Sequence, residues 1–185
     1  MFVLLLIRAT VGVLAFERLV LWLGVIGTVG VTWGVLEAAR YYLAKRHRTS
    51  LPAVVFWFGL AAAADMGGNA YDWYNQFLRY DNVVHFLGGL AMVFLLLSLA
   101  LVLAQARYPS IPHGWVVYLA FVTTIFLGTL MELFEYVADM SLNINYWLGS
   151  GGDTVIDLAV NMLGALVGCA LFTMTVPAIV HRGSE

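Results

Sequence analysis

Backbone in hydrocarbon has no water to bond to, so an apolar run long enough to cross a bilayer has to become a helix. A crossing takes about 20 such residues. Four stretches of this chain have the length: Leu19–Leu43, Val83–Ala106, Gly114–Val137 and Thr154–Val180. A fifth, Ala53–Ala70, is apolar as far as Asp65 and then becomes polar and glycine-rich in Asp65-Met66-Gly67-Gly68-Asn69. Its outer end is expected to be unwound or to line a polar cavity. The first stretch, Phe2–Phe16, reads either as a short tilted span or as an interfacial helix. The expected fold is all-α: a polytopic transmembrane helical bundle with five to six spans, forming one membrane domain over residues 1–185.

Composition agrees. Charged residues make up 11% of the chain, against about 25% in soluble proteins, and the mean hydropathy is +0.89. A net charge of −2 argues against a nucleic-acid partner. The single cysteine, Cys169, excludes an intrachain disulfide and any cysteine-based metal motif.

Basic residues give the orientation. Arg40, Lys45, Arg46, Arg48, Arg107 and Arg182 fall on one side when the crossings alternate, and that side is expected to be cytoplasmic, with the C-terminus. Arg18 and Arg79 fall outside. Tyr71, Trp73, Tyr74, Tyr80, Tyr146 and Trp147 would mark the outer interface, and Tyr41, Tyr42, Trp57, Tyr108 and Trp115 the inner one. The glycine pairs Gly30-x-x-x-Gly34 and Gly164-x-x-x-Gly168 allow close helix contact, within one chain or between copies in a homo-oligomer.

The same topology gathers the acids. Of eleven acidic residues, all but Glu37 and Glu185 fall on the outer side. Three patterns open or close consecutive spans there: Asp81-x-x-x-His85, Glu132-x-x-Glu135 with Asp139 beyond it, and Asp153-x-x-x-Asp157-x-x-x-Asn161. Spacings of three and four put each set on one helix face. Plainer roles compete for several of them. Asp81 and Asp153 sit where helix N-caps belong. Asp139 is expected in a solvated loop, and Asp65 and Asn69 would hydrate an irregular helix end. Glu132, Glu135 and Asp157 lie inside helices, where capping does not apply. Like charges about 4 Å apart repel by roughly 4 kcal/mol at an effective dielectric near 20, so the acids need protons or a cation among them. A set of carboxylates with one imidazole suits Mg²⁺, Mn²⁺, Zn²⁺ or non-haem iron.

These motifs resemble the VanZ-like superfamily, and among its members the YjdF-type inner-membrane proteins. The likeness rests on Asp81-Asn82-Val83-Val84-His85-Phe86, Glu132-Leu133-Phe134-Glu135, and Asp153-Thr154-x-x-Asp157-Leu158-x-x-Asn161-x-x-Gly164. It covers roughly residues 80–170. Glu135 stands where VanZ-type members usually carry Gln, which favours the YjdF-type branch. The resemblance implies a small helical protein of the prokaryotic cytoplasmic membrane, and it carries sites rather than an activity.

Three functions compete. In the first, Asp81, His85, Glu132, Glu135, Asp153 and Asp157 hold a divalent metal at the outer leaflet. Glu132 or Asp157 then acts as general base on a lipid or lipid-linked substrate, which Arg79, Asn161, Asp65 and Asn69 would help to bind. In the second, the acids are stations of a proton- or cation-coupled transporter. In the third, they form a structural polar network in a non-catalytic membrane protein.

Overall fold

The computed structural model describes residues 26–27, 30–38, 40–41, 51–107, 111–142 and 151–175. Their regular structure is helical throughout: α1 (Leu51–Ala70), α2 (Trp73–Gln76), α3 (Tyr80–Arg107), α4 (His113–Leu142) and α5 (Gly151–Thr175), with residues 30–38 helical as well. The expected span at 2–16 lies outside the described residues, as do most of 19–43, the basic residues Lys45, Arg46, Arg48 and Arg182, and the belt residues Tyr146 and Trp147.

Four of the described helices are long and apolar enough to cross a membrane: Leu51–Ala70, Tyr80–Leu101, His113–Ser141 and Asp153–Thr175. The chain is a multi-pass helical membrane protein. Its surface agrees, since α4 alone exposes Leu119, Val122, Phe126, Leu130, Met131, Leu133 and Phe134. A water-soluble monomer rarely carries so continuous an apolar face.

The central helix is α3, which packs most extensively against α5 and also against α1 and α4. The sequence explains why. Leu90, Val93, Phe94 and Leu97 follow a three-four spacing on α3, and Ala165, Cys169 and Phe172 do the same on α5. All are buried, and the rings of Phe94 and Phe172 meet edge to face at 5.5 Å. Ala120 of α4 closes this core. A smaller one, Val54 with Leu95, joins α1 to α3, with Val35 packed beside it.

Glycine lets α3 and α5 approach. A Cβ on Gly164 would strike the carbonyl oxygen of Phe86 and stand 3.2 Å from the Leu90 nitrogen. One on Gly168 would strike the Val93 side chain. Gly164-x-x-x-Gly168 is therefore a contact within one chain. A Cβ on Gly30 or Gly34 meets nothing within 4 Å among the described residues.

Three expectations are corrected. Of the two alternatives for the end of α1 at residues 65–69, unwinding is overturned, since the helix continues to Ala70. Gly67 and Gly68 are there to admit rings: an added Cβ would stand 2.7 Å from Cζ3 of Trp73 in the first case and 2.7 Å from Cε1 of Tyr80 in the second. Asn69 keeps the turn by donating to the Asp65 carbonyl at 3.0 Å. Asp81 and Asp153 lie in the first turns of α3 and α5, which begin at Tyr80 and Gly151. They sit inside the helix end, favoured there by the positive end of its dipole. Asp139 belongs to α4, which runs on to Leu142, and it is buried.

Candidate functional site

Helices α3 and α5 begin at the end of the bundle where α4 finishes, so their polar residues meet there. His85 stands one turn into α3, with its ring mostly buried. Its Nε2 is 3.5 Å from Oδ1 of Asp81, one turn back on the same helix. Its Nδ1 is 3.6 Å from Oε1 of Glu132 on α4. Both gaps exceed ordinary hydrogen-bond length, about 2.7–3.2 Å, so the ring sits between two carboxylates without closing on either.

Asp157 of α5 completes the group. Asp81, His85 and Asp157 each offer one ligand atom, and these atoms lie within 4.8 Å of one another. Glu132 and Asp157 are 6% and 5% exposed, and Glu132 Oε1 and Asp157 Oδ1 have no hydrogen-bond partner among the described residues. Buried polar atoms are normally paired, and each exception calls for a cause. Two carboxylates at 4.8 Å repel by about 3 kcal/mol at an effective dielectric near 20.

The remaining acids form a second tier. Half-buried Glu135 lies within electrostatic range of Glu132, Asp81, Asp157 and Asp139. Asp153 is exposed, within range of Asp81, Glu132 and Asp157. Neither contributes an atom to the close group.

Asp65 and Asn69 belong to a separate network at the C-terminal end of α1. Tyr74 donates its hydroxyl to Asp65 Oδ1 at 2.8 Å, and Asn69 Nδ2 donates to the same oxygen at 3.0 Å. Tyr80 donates to the Ala64 carbonyl at 2.8 Å. Trp73, Tyr74 and Tyr80 pack edge to face at 5.3–5.5 Å and pin α1 to α3. Burial, then the neighbouring Asp65 carboxyl, holds the Tyr74 phenol protonated well above the usual tyrosine range. Arg79 is exposed, has a left-handed backbone at φ 66°, and makes no ion pair among the described residues.

Asn161 lies one turn below Asp157, against Gly89 of α3 and Gly128 of α4. Those two glycines were not legible as site residues, because their role depends on which helices face each other. The hydroxyl of Tyr74 was equally hidden behind its reading as an interfacial aromatic.

Chemically, two carboxylates and an imidazole nitrogen make a donor set for a divalent cation, with Glu132 placed to accept from the far side of the ring. Carboxylate–histidine–metal arrangements use that geometry to fix the tautomer and orientation of the ligand. The orphaned oxygens of Glu132 and Asp157 fit such a group.

Comparison with curated proteins and with solved structures returns no match for this chain. A family model does match, over residues 1–177, nearly the whole chain. With its apolar helices and their shared polar end, the chain belongs to the DUF2238 family of predicted membrane proteins.

Proposed function

We propose that this protein binds a divalent metal through Asp81, His85 and Asp157 and acts on a lipid or lipid-linked substrate at the outer face of the prokaryotic cytoplasmic membrane. The observation that carries the reading is the convergence of three donor atoms within 4.8 Å, with buried oxygens of Glu132 and Asp157 that make no hydrogen bond among the described residues. Mg²⁺, Mn²⁺, Zn²⁺ and Fe²⁺ all accept such donors. The resemblance of the motifs to VanZ-like, YjdF-type proteins supports this location.

When bound, such an ion polarises a phosphoryl or carbonyl oxygen and lowers the pKa of water. The chain supplies the rest. Nε2 of His85 faces Asp81 and would serve as the ligand atom, while Glu132, 3.6 Å from Nδ1, would orient the ring from its other side. That makes Glu132 an orienting residue rather than a ligand. Asp157, the most buried of the three donors and within electrostatic range of Glu135, would accept a proton from an attacking water. Arg79, exposed two residues before Asp81, would receive an anionic headgroup.

A proton- or cation-coupled carrier needs polar groups that continue inward. Below the cluster the core is Leu90, Val93, Phe94, Leu97 and Phe172. Among the described residues the buried polar side chains deeper in are Ser98 and Thr124, and Thr124 is already bonded to the Ala120 carbonyl. That favours a site over a pathway. Self-association through small residues, where it occurs, falls to Gly30 and Gly34, since Gly164 and Gly168 face α3.

The test is elemental analysis of the purified protein, wild type against Asp81→Asn/Asp157→Asn, followed by incubation of reconstituted protein with lipid phosphates. Near-stoichiometric metal lost in the double variant, with metal-dependent turnover in wild type, supports the reading. Wild-type protein without metal after divalent ions are added back overturns it.

A further inference from the structure

The helices that carry the cluster share a second layer one turn deeper. Four residues inward from His85 on α3 is Gly89, from Glu132 on α4 is Gly128, and from Asp157 on α5 is Asn161. Asn161 touches both glycines. A Cβ on Gly89 would fall on the backbone and side-chain oxygens of Asn161. One on Gly128 would fall on Asn161 Nδ2, with Cγ at 3.1 Å. The two ends of one carboxamide thus rest on two different helices, and neither helix has a side chain that could yield.

This contact sets a distance. At that level the Asn161 carboxamide reaches from Gly89 on α3 to Gly128 on α4, the Asn161 backbone oxygen also meets Gly89, and Asn161 is carried on the third helix. One turn above, Glu132 and Asp157 are 6% and 5% exposed and hold oxygens without hydrogen-bond partners. Sites that grip an ion need their donors placed to within about 0.5 Å by the shell beneath them.

We infer that Asn161 is a positioning residue: its carboxamide, wedged between Gly89 and Gly128, holds α3, α4 and α5 at the separation where Asp81, His85 and Asp157 converge. The inference rests on the reading of that cluster as a divalent-metal site.

The experiment uses full-length protein in detergent: wild type, Asn161→Ala, Gly128→Ala, the double variant, and Phe172→Leu. Each is titrated with Mn²⁺, free ion being followed by electron paramagnetic resonance, and thermal unfolding is recorded on the same samples. Asn161→Ala and Gly128→Ala should each bind Mn²⁺ about tenfold or more weakly, the usual cost of losing an outer-shell support. Phe172→Leu, a change in the apolar core, should unfold at lower temperature and keep wild-type affinity. In unfolding, Gly128→Ala should cost less where Asn161 is already Ala, because the new methyl group enters vacated space.

Wild-type affinity in Asn161→Ala would overturn the proposal, as would strictly additive unfolding costs. A wild-type protein that binds no Mn²⁺ overturns the metal reading instead. The unfolding cycle then decides the wedge by itself: coupling upholds it and additivity removes it.

Discussion

Nδ1 of His85 stands 3.6 Å from Oε1 of Glu132, while Nε2 of the same ring stands 3.5 Å from Oδ1 of Asp81. One imidazole therefore lies between two helices and turns each of its nitrogens toward a different carboxylate.

That difference between the two carboxylates predicts different losses. Glu132→Gln keeps the shape and removes the acceptor charge, so it should weaken metal binding by about 10- to 100-fold without changing the stoichiometry. Asp157→Asn puts a neutral amide oxygen in place of a charged ligand and should abolish tight binding. Isothermal titration of both variants checks this. Equal loss in the two would make Glu132 a ligand in its own right.

Metal should also stabilise the fold, because it binds only the assembled cluster. Ion held at 100 times its dissociation constant adds about 2.7 kcal/mol to the unfolding free energy. Chelator should lower the unfolding temperature of wild type and leave Asp81→Asn/Asp157→Asn unmoved. A chelator effect of the same size in that variant would place the stabilising ion elsewhere.

Tyr74 predicts an alkaline weakness. Its phenol, buried and beside Asp65, titrates above the ordinary tyrosine range in the folded protein. Above about pH 10 the unfolded chain loses this proton while the fold retains it, so the unfolded state then binds fewer protons. The contribution is complete below pH 10 and declines as pH rises from there. Tyr74→Phe removes that part of the decline. At neutral pH it costs about 1–3 kcal/mol, the worth of a hydrogen bond to a carboxylate. Unfolding of both proteins between pH 8 and 11 measures each effect, and parallel curves would remove the Tyr74 linkage.

The glycines on α1 and α5 are predicted to be unequal to those at the N-terminal pair. Gly164→Val places methyl groups on the backbone of Phe86, which cannot rotate away, and should cost about 3 kcal/mol or more. Gly68→Val meets the rings of Tyr74 and Tyr80, which can give slightly, and should cost about 1–3 kcal/mol. Gly34→Val meets nothing within 4 Å among the described residues and should be nearly neutral. Expression and unfolding of the three in one detergent rank them. A severe Gly34→Val would reveal a contact with another part of the chain or with a second copy.

By itself the sequence determined that this is a helical membrane protein, where four of its spans run, and that its acids collect at one end. The physics is one-dimensional: about 20 apolar residues must cross as a helix, and alternating crossings then sort every loop and every charge by side. Spacing along a helix also placed Asp81 with His85, and Asp157 with Asn161. Depth and partner did not follow from it. Asp139 looked like a loop residue because the apolar run weakens near Val137, yet the helix continues and buries it. The Gly67-Gly68 pair looked like a break, since nothing local shows that Trp73, Tyr74 and Tyr80 fold back over it. Only the tertiary structure decided that His85 faces Glu132, that Glu135 and Asp153 stand outside the close group, and that Asn161 fits between Gly89 and Gly128. Those facts depend on the rotation of each helix about its own axis, which is set by packing among α3, α4 and α5 rather than by any one of their sequences.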